Sequence, residues 1–142
     1  MLKVLLDTNQ LVSSVLSARG IQGRIVDEWR RQAFLLFVAP GQVDEIAEVL
    51  SRRTFAKKYP LLSTDREALL ALLHAEAVLL PDARPPGVCR DPDDDHLLGC
   101  AAARRVDYIV TGDSALLAVG QFDGVTIVDG RQFLSVLSRL AD

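Results

Sequence analysis

Short apolar runs alternate along this chain with longer stretches whose apolar side chains recur every third or fourth position. Leu2–Leu6 is nearly continuously apolar, the form a strand takes when both faces of its sheet are covered. Leu35–Val38 repeats that form and stops at Pro40-Gly41, and Ala77–Leu80, Tyr108–Val110 and Val125–Val128 extend the series to further strands. Between them the period changes. Asn9–Ser17 and Ile21–Arg31 read as helices, the second with Ile25, Val26 and Trp29 on one face. Val43, Ile46, Ala47 and Leu50 make the i, i+3, i+4, i+7 stripe of an amphipathic helix. Ser63–Ala75 is a further helix with Ser63 or Thr64 as its expected cap, and Arg131–Leu140 closes the chain as another. Asp82–Arg90, rich in proline and glycine, reads as a loop. After it Asp91 suits an N-cap and Pro92 the first helical position, ahead of a buried face of Leu97, Leu98, Ala101 and Ala102. This strand–helix alternation predicts an α/β fold with a parallel sheet and helices on both faces.

That fold gives meaning to the acids that end its elements. Asp7 closes the run Val4-Leu5-Leu6, Asp113 follows Tyr108-Ile109-Val110-Thr111-Gly112, and Asp94 lies within Asp91-Pro92-Asp93-Asp94-Asp95. Carboxyl ends of neighbouring parallel strands open onto one crevice, where open α/β sheets hold their ligands. Carboxylates gathered there raise one another's pKa unless a cation neutralises them, and oxygen ligands suit a divalent metal. Metal-assisted hydrolysis, with phosphodiester cleavage first among its forms, is the expected chemistry. Capping alone also accounts for Asp7 and Asp113, and it is the simpler account of Asp91. Asp94 is different. It precedes Leu97, Leu98 and Ala101 by three, four and seven positions, so its carboxylate shares their buried face and requires a partner or a cation. Asp93 and Asp95 are expected to face solvent. Asp44, Glu45 and Glu48 all lie off the Val43-Ile46-Ala47-Leu50 stripe, and periodicity does not choose among them.

With 142 residues, 49% of them hydrophobic, the chain is expected to form one domain over residues 1–142 around a continuous core. Its formal net charge of −3 argues against a broadly basic nucleic-acid-binding surface, although Arg30-Arg31, Arg52-Arg53 with Lys57-Lys58, and Arg104-Arg105 are local basic clusters. Single clusters of this kind are more often solvated helix ends. The longest apolar stretch, Leu69–Leu80, is interrupted by His74 and Glu76 and is too short for a bilayer. Met1–Leu6 leads into Asp7 without the apolar length or cleavage site of a secretory signal, so a cytoplasmic location without membrane attachment is expected. Cys89 and Cys100 form no zinc pattern and read as free thiols without a role; His74 and His96 show no metal spacing. The serines lack a G-x-S-x-G context, which leaves covalent nucleophilic catalysis little support.

Four segments together resemble the PIN-domain ribonucleases over essentially the whole chain: Val4-Leu5-Leu6-Asp7-Thr8-Asn9, Glu45-Ile46-Ala47-Glu48-Val49-Leu50, Asp91-Pro92-Asp93-Asp94-Asp95-His96-Leu97-Leu98, and Tyr108-Ile109-Val110-Thr111-Gly112-Asp113. Each motif alone is weak, but their order and spacing are specific. They look most like the subgroup described as toxin components of prokaryotic toxin–antitoxin pairs. The resemblance implies a three-layer α/β/α sandwich with a central parallel sheet that hydrolyses RNA with Mg²⁺ or Mn²⁺. It places Asp7, Glu45, Asp94 and Asp113 on the family's acidic site and Asn9 and Thr111 on supporting polar positions, with Asp91 a less secure addition. It also implies an antitoxin protein as partner and a homodimer. Two other readings stand beside it. An aspartyl-phosphate phosphotransfer or receiver-like domain would use Asp7 or Asp113, but the dehalogenase-type phosphatases place a second Asp where this chain has Asn9. A non-catalytic interaction module would keep the acids for metal-dependent stability or for an arginine-rich partner.

Overall fold

The structure, a computed structural model, describes residues 1–141, with the side chains of Arg53 and Thr54 outside that description. Of the basic cluster Arg52-Arg53, the Arg53 half therefore falls outside the described residues. Six strands form one sheet: β1 Lys3–Leu6, β2 Leu35–Val38, β3 Val78–Leu79, β4 Tyr108–Val110, β5 Gln121–Phe122 and β6 Val125–Val128. Their order is β3-β2-β1-β4-β6-β5, and every neighbouring pair is parallel except β5 with β6. The helices are α1 Thr8–Leu16, α2 Ile21–Arg30, α3 Gln42–Leu50, α4 Arg53–Lys58, α5 Leu62–Glu76, α6 Pro92–Ala103, α7 Ser114–Leu117 and α8 Gly130–Ala141. Among the described residues, no helix is long and apolar enough to cross a membrane.

The strands are apolar at successive positions because the sheet is covered on both faces. Val4, Leu6, Leu36, Val38, Val110 and Val128 point into one core, where they meet Leu11, Ile25, Trp29, Ile46, Leu69 and Phe133. Leu5, Phe37, Ile109 and Ile127 point the other way, onto Leu98, Cys100, Ala101 and Leu116. Alternate strand residues thus serve opposite cores, with α1, α2, α3, α5 and α8 on one side and α6 and α7 on the other. The fold is the expected α/β architecture with a central, mostly parallel sheet between helical layers. Where the 81–91 loop crosses α6, the backbones nearly touch. A Cβ at Gly99 would stand 2.5 Å from the Arg84 carbonyl oxygen, so the helix that carries Asp94 accepts only glycine there.

Three details depart from the sequence expectation. Helix α5 starts at Leu62 rather than at a Ser63 or Thr64 cap, and its N-cap residue Leu61 makes no side-chain capping bond. Leu62 is buried, and burying its side chain outweighs the capping bond that a later start would offer. The pair β5–β6 is an antiparallel hairpin closed by Asp123-Gly124, with φ of 48° and 85°. Both central residues take the positive φ of a type I′ turn, and Asp-Gly is its sequence signature. The third departure is α4, which the apolar pattern did not mark as a helix.

Candidate active site

The sheet order reverses between β1 and β4: from β1 the chain proceeds outward through β2 and β3, whereas the strands after β4 lie on its other side, with the edge strand β5 formed first and β6 returning between it and β4. At such a switch point the loops leaving adjacent strands diverge to opposite faces and open a crevice. An open cavity of about 430 Å³ lies there, lined by Asp7, Asn9, Glu45, Asp93, Asp94 and Asp113 among others.

Asp7 follows β1 directly and is held by both oxygens. Oδ1 accepts the Gln10 N–H at 3.0 Å, which caps α1, and Oδ2 accepts the Thr111 hydroxyl. Thr111 is fully buried just past β4, and its hydroxyl oxygen accepts the Asp113 N–H at 2.9 Å. One threonine therefore ties the end of β1 to the loop bearing Asp113. Burial pushes the Asp7 carboxyl above its ordinary value, opposed by the Thr111 and Gln10 bonds and reinforced by the charge of Asp113. Asp113 itself caps α7, accepting the Ala115 N–H at 2.8 Å.

The other side of the crevice is the first turn of α6. Asp91 is its N-cap, accepting the N–H groups of Asp93 and Asp94 at 2.9 and 3.1 Å, and Pro92 occupies the first helical turn. Its carboxylate also stands close to two other acids. Carboxylate oxygens of Asp91, Asp94 and Asp113 lie within 4.8 Å of one another. Desolvation, then the charges of Asp113 and Asp91, then a hydrogen bond with Asp113 and the charge of Asp7, push the Asp94 carboxyl up to about 7. Its Oδ2 is buried without a hydrogen-bond partner.

Glu45 enters from the first turn of α3, whose start is fixed by Gln42. The Gln42 amide donates to the Leu6 carbonyl at 2.5 Å, while its Oε1 accepts the Ala39 N–H at 3.0 Å, binding the β2–α3 loop to the end of β1. The three acids of this helix have separate surroundings. Glu45 lines the crevice, Asp44 a different depression, and Glu48 pairs with Arg52 at 3.1 Å. Asn9 is exposed at the rim, and among the described residues its side chain makes no hydrogen bond to an acid.

The donor set is all oxygen, it is mutually repelling, and one of its buried oxygens has no partner. A hard divalent cation fits it, because such an ion takes oxygen ligands and removes the repulsion.

The sequence profile of the PIN domain matches residues 3–115, which include every residue of this crevice. The chain belongs to the PIN domain family. PIN domains are generally nucleases, and the acidic cluster of this one accords with that class. An uncharacterized protein of Methanocaldococcus jannaschii, MJ1680, is 28% identical over 121 residues, covering 83% of this chain and 75% of that protein. The crystal structure of PAE2754 from Pyrobaculum aerophilum is similar in fold, with a TM-score of 0.62 at 18% identity over 97% of this chain and 90% of the other.

Within this PIN domain one acid behaves differently from the sequence expectation. Asp95 does not face solvent. It is only 6% exposed, and its carboxylate accepts the N–H groups of Gly87, Val88 and Cys89, each at 2.9 Å. Those bonds, Cys89 foremost, hold its carboxyl below the usual range. It latches the 81–91 loop to α6, filling a need for backbone partners that apolar periodicity does not reveal. Asp95→Asn is accordingly expected to lower the melting temperature and to speed amide hydrogen exchange at Gly87, Val88 and Cys89. Unchanged exchange there would remove Asp95 from this role.

Proposed function

We propose that this PIN domain is a divalent-metal-dependent endoribonuclease that hydrolyses RNA phosphodiesters. The observation that carries the reading is the Asp94 carboxyl, with an unpartnered buried oxygen, facing Asp91 and Asp113 at the sheet's switch point. Asp7, Asp94 and Asp113 would hold the principal Mg²⁺ or Mn²⁺, with Asp91 beside them, and Glu45 reaches the same cavity from the opposite wall. Such an ion, when bound, lowers the pKa of water and neutralises charge growing on the phosphate. Glu45 is the residue placed to orient the attacking water or to serve a second ion, being the acid of α3 that lines the crevice. Thr111 keeps Asp7 and Asp113 in fixed register. Arg90, beside Asp91 and 3.4 Å from the Ser114 hydroxyl, offers a cation to an RNA phosphate next to this anionic wall.

The competing aspartyl-phosphate reading requires a carboxylate oxygen free to attack. Of its two candidate nucleophiles, Asp7, the acid at the end of β1, has both oxygens engaged and is only 9% exposed, while Asp113 has one oxygen held by the Ala115 N–H. The resemblance to the toxin subgroup of the family further implies a cytoplasmic toxin neutralised by an antitoxin protein, acting as a homodimer. Induced expression should then arrest growth, and the arrest should be relieved by substitution of Asp94.

Labelled RNA should be cut with Mg²⁺ or Mn²⁺ and left intact with EDTA. Because water rather than the ribose 2′-hydroxyl attacks, the products should carry 5′-phosphate and 3′-hydroxyl ends. Cleavage that persists in EDTA, or that leaves 2′,3′-cyclic phosphates, contradicts the reading.

A further inference from the structure

Behind the acidic wall, α6 carries a second group of metal-ligating side chains that the ribonuclease reading does not use. His96 and Cys100 stand four residues apart and share one helix face. Asp82, at the start of the 81–91 loop, lies against them. His96 Nε2 is 2.5 Å from Asp82 Oδ1 and 3.7 Å from Cys100 Sγ, and the three ligand atoms fall within 4.8 Å of one another. We propose that Asp82, His96 and Cys100 form a second cation site for Zn²⁺, separate from the carboxylate crevice and tying the 81–91 loop to α6.

Asp82 and Cys100 both address the same ring nitrogen of His96. Nε2 carries either one N–H or one lone pair. As a donor to Asp82 it cannot accept the Cys100 S–H, and as an acceptor from the thiol it faces the carboxylate without a proton. A cation placed between the three satisfies all of them. The spacing of the donor atoms also suits Zn²⁺. With Zn–N of about 2.0–2.1 Å and Zn–S of about 2.3 Å, tetrahedral ligation puts N and S about 3.5 Å apart. The observed 3.7 Å is close to that value. The nitrogen–oxygen pair must open to about 3.4 Å for the same geometry. Asp82 can swing out by giving up the bond its Oδ1 accepts from the Ala83 N–H at 3.0 Å, since its side chain is 76% exposed, while Cys100 is fully buried in α6 and fixed.

Donor chemistry selects the ion. One thiolate, one imidazole and one carboxylate suit Zn²⁺ and its borderline neighbours, whereas Mg²⁺ prefers oxygen and retains its waters. The two sites of this chain thus sort cations by softness. Three protein ligands leave a fourth position toward the open cleft lined by Asp82, Ala83, Arg84, Pro85 and His96. His96 also lines the acidic crevice, so occupancy here bears on the helix that presents Asp94.

Co²⁺ titration of the reduced full chain tests the site, because thiolate ligation gives a charge-transfer band in the near ultraviolet that carboxylates alone do not give. One equivalent of Co²⁺ should produce the band, and Zn²⁺ should displace it. Cys100→Ser should abolish it, while Cys89→Ser and Asp113→Asn should retain it. Asp82→Asn and His96→Asn should each weaken Co²⁺ binding about tenfold or more, in keeping with the loss of one direct ligand. Should Cys100→Ser fail to fold, those two variants decide the matter. No band in the wild-type chain, a band that survives Cys100→Ser, or affinity unchanged in both Asp82→Asn and His96→Asn overturns the proposal and leaves a His96–Asp82 ion pair with a packed thiol.

Discussion

Replacing Asp94 with Asn is expected to reduce RNA cleavage by more than about a hundredfold, since even groups that merely support a metal ligand cost 10–100-fold when removed. The side chain keeps its shape and loses only its charge. In this structure that charge faces Asp113, Asp91 and Asp7, and its buried oxygen has no protein partner. Asp93→Asn should retain most activity, because Asp93 is exposed and stands outside the close group of Asp91, Asp94 and Asp113. A parallel comparison on α3 separates Glu45 from its neighbours. Glu45→Gln should fall far below Glu48→Gln, because Glu48 pairs with Arg52 away from the crevice. Cleavage by Asp94→Asn within tenfold of wild type, or equal loss in the Glu45 and Glu48 variants, removes those residues from the chemistry.

How much of this site could be read in the sequence depended on whether its physics was local. The strands were readable because a sheet covered on both faces demands continuous apolar runs, which β1, β2 and β4 have and β6 has but for Thr126. Asp94 was readable from helix spacing, since a carboxylate three and four residues before buried leucines cannot avoid their face. Glu45 was not readable in this way. Three acids of α3 share the polar side of one stripe, and only the path of β2 into α3 sets which of them faces the crevice. Asp95 escaped for a related reason. Its partners are three backbone N–H groups of an irregular loop, and no periodicity records where such groups point. The Asp123-Gly124 hairpin, by contrast, had a local signature beside a very short strand. Asp82 meets His96 and Cys100 only because the 81–91 loop folds back over Gly99, a contact invisible in residue spacing.

Without metal, the melting difference between Asp94→Asn and the wild type should depend on pH. Folding raises the Asp94 carboxyl from an unfolded value of 3.8 to about 7, through burial first and the Asp113, Asp91 and Asp7 charges next. A group raised in this way favours the folded state while protonated. Its stabilising contribution is complete below about 4 and is lost as pH rises through about 7. Asp7 is raised as well and shifts stability in the same direction. A shift of this size corresponds to about 4 kcal/mol for a fully shielded group, and solvent at the open crevice reduces that to the order of 1–2 kcal/mol. Near pH 8 in EDTA, Asp94→Asn should therefore melt about 3–6 °C above wild type. Near pH 4 the two should nearly coincide, because wild-type Asp94 is then protonated and uncharged. Mn²⁺ reverses the order at neutral pH. Binding only the folded state, it stabilises wild type by about 2.7 kcal/mol at a hundred times its Kd, and the variant, lacking one carboxylate, gains less. Paired melting curves at pH 4 and pH 8, with EDTA or Mn²⁺, measure all of this. A variant no more stable than wild type at pH 8, or a Mn²⁺ response equal in both proteins, would show that Asp94 does not stand in a mutually repelling metal cluster.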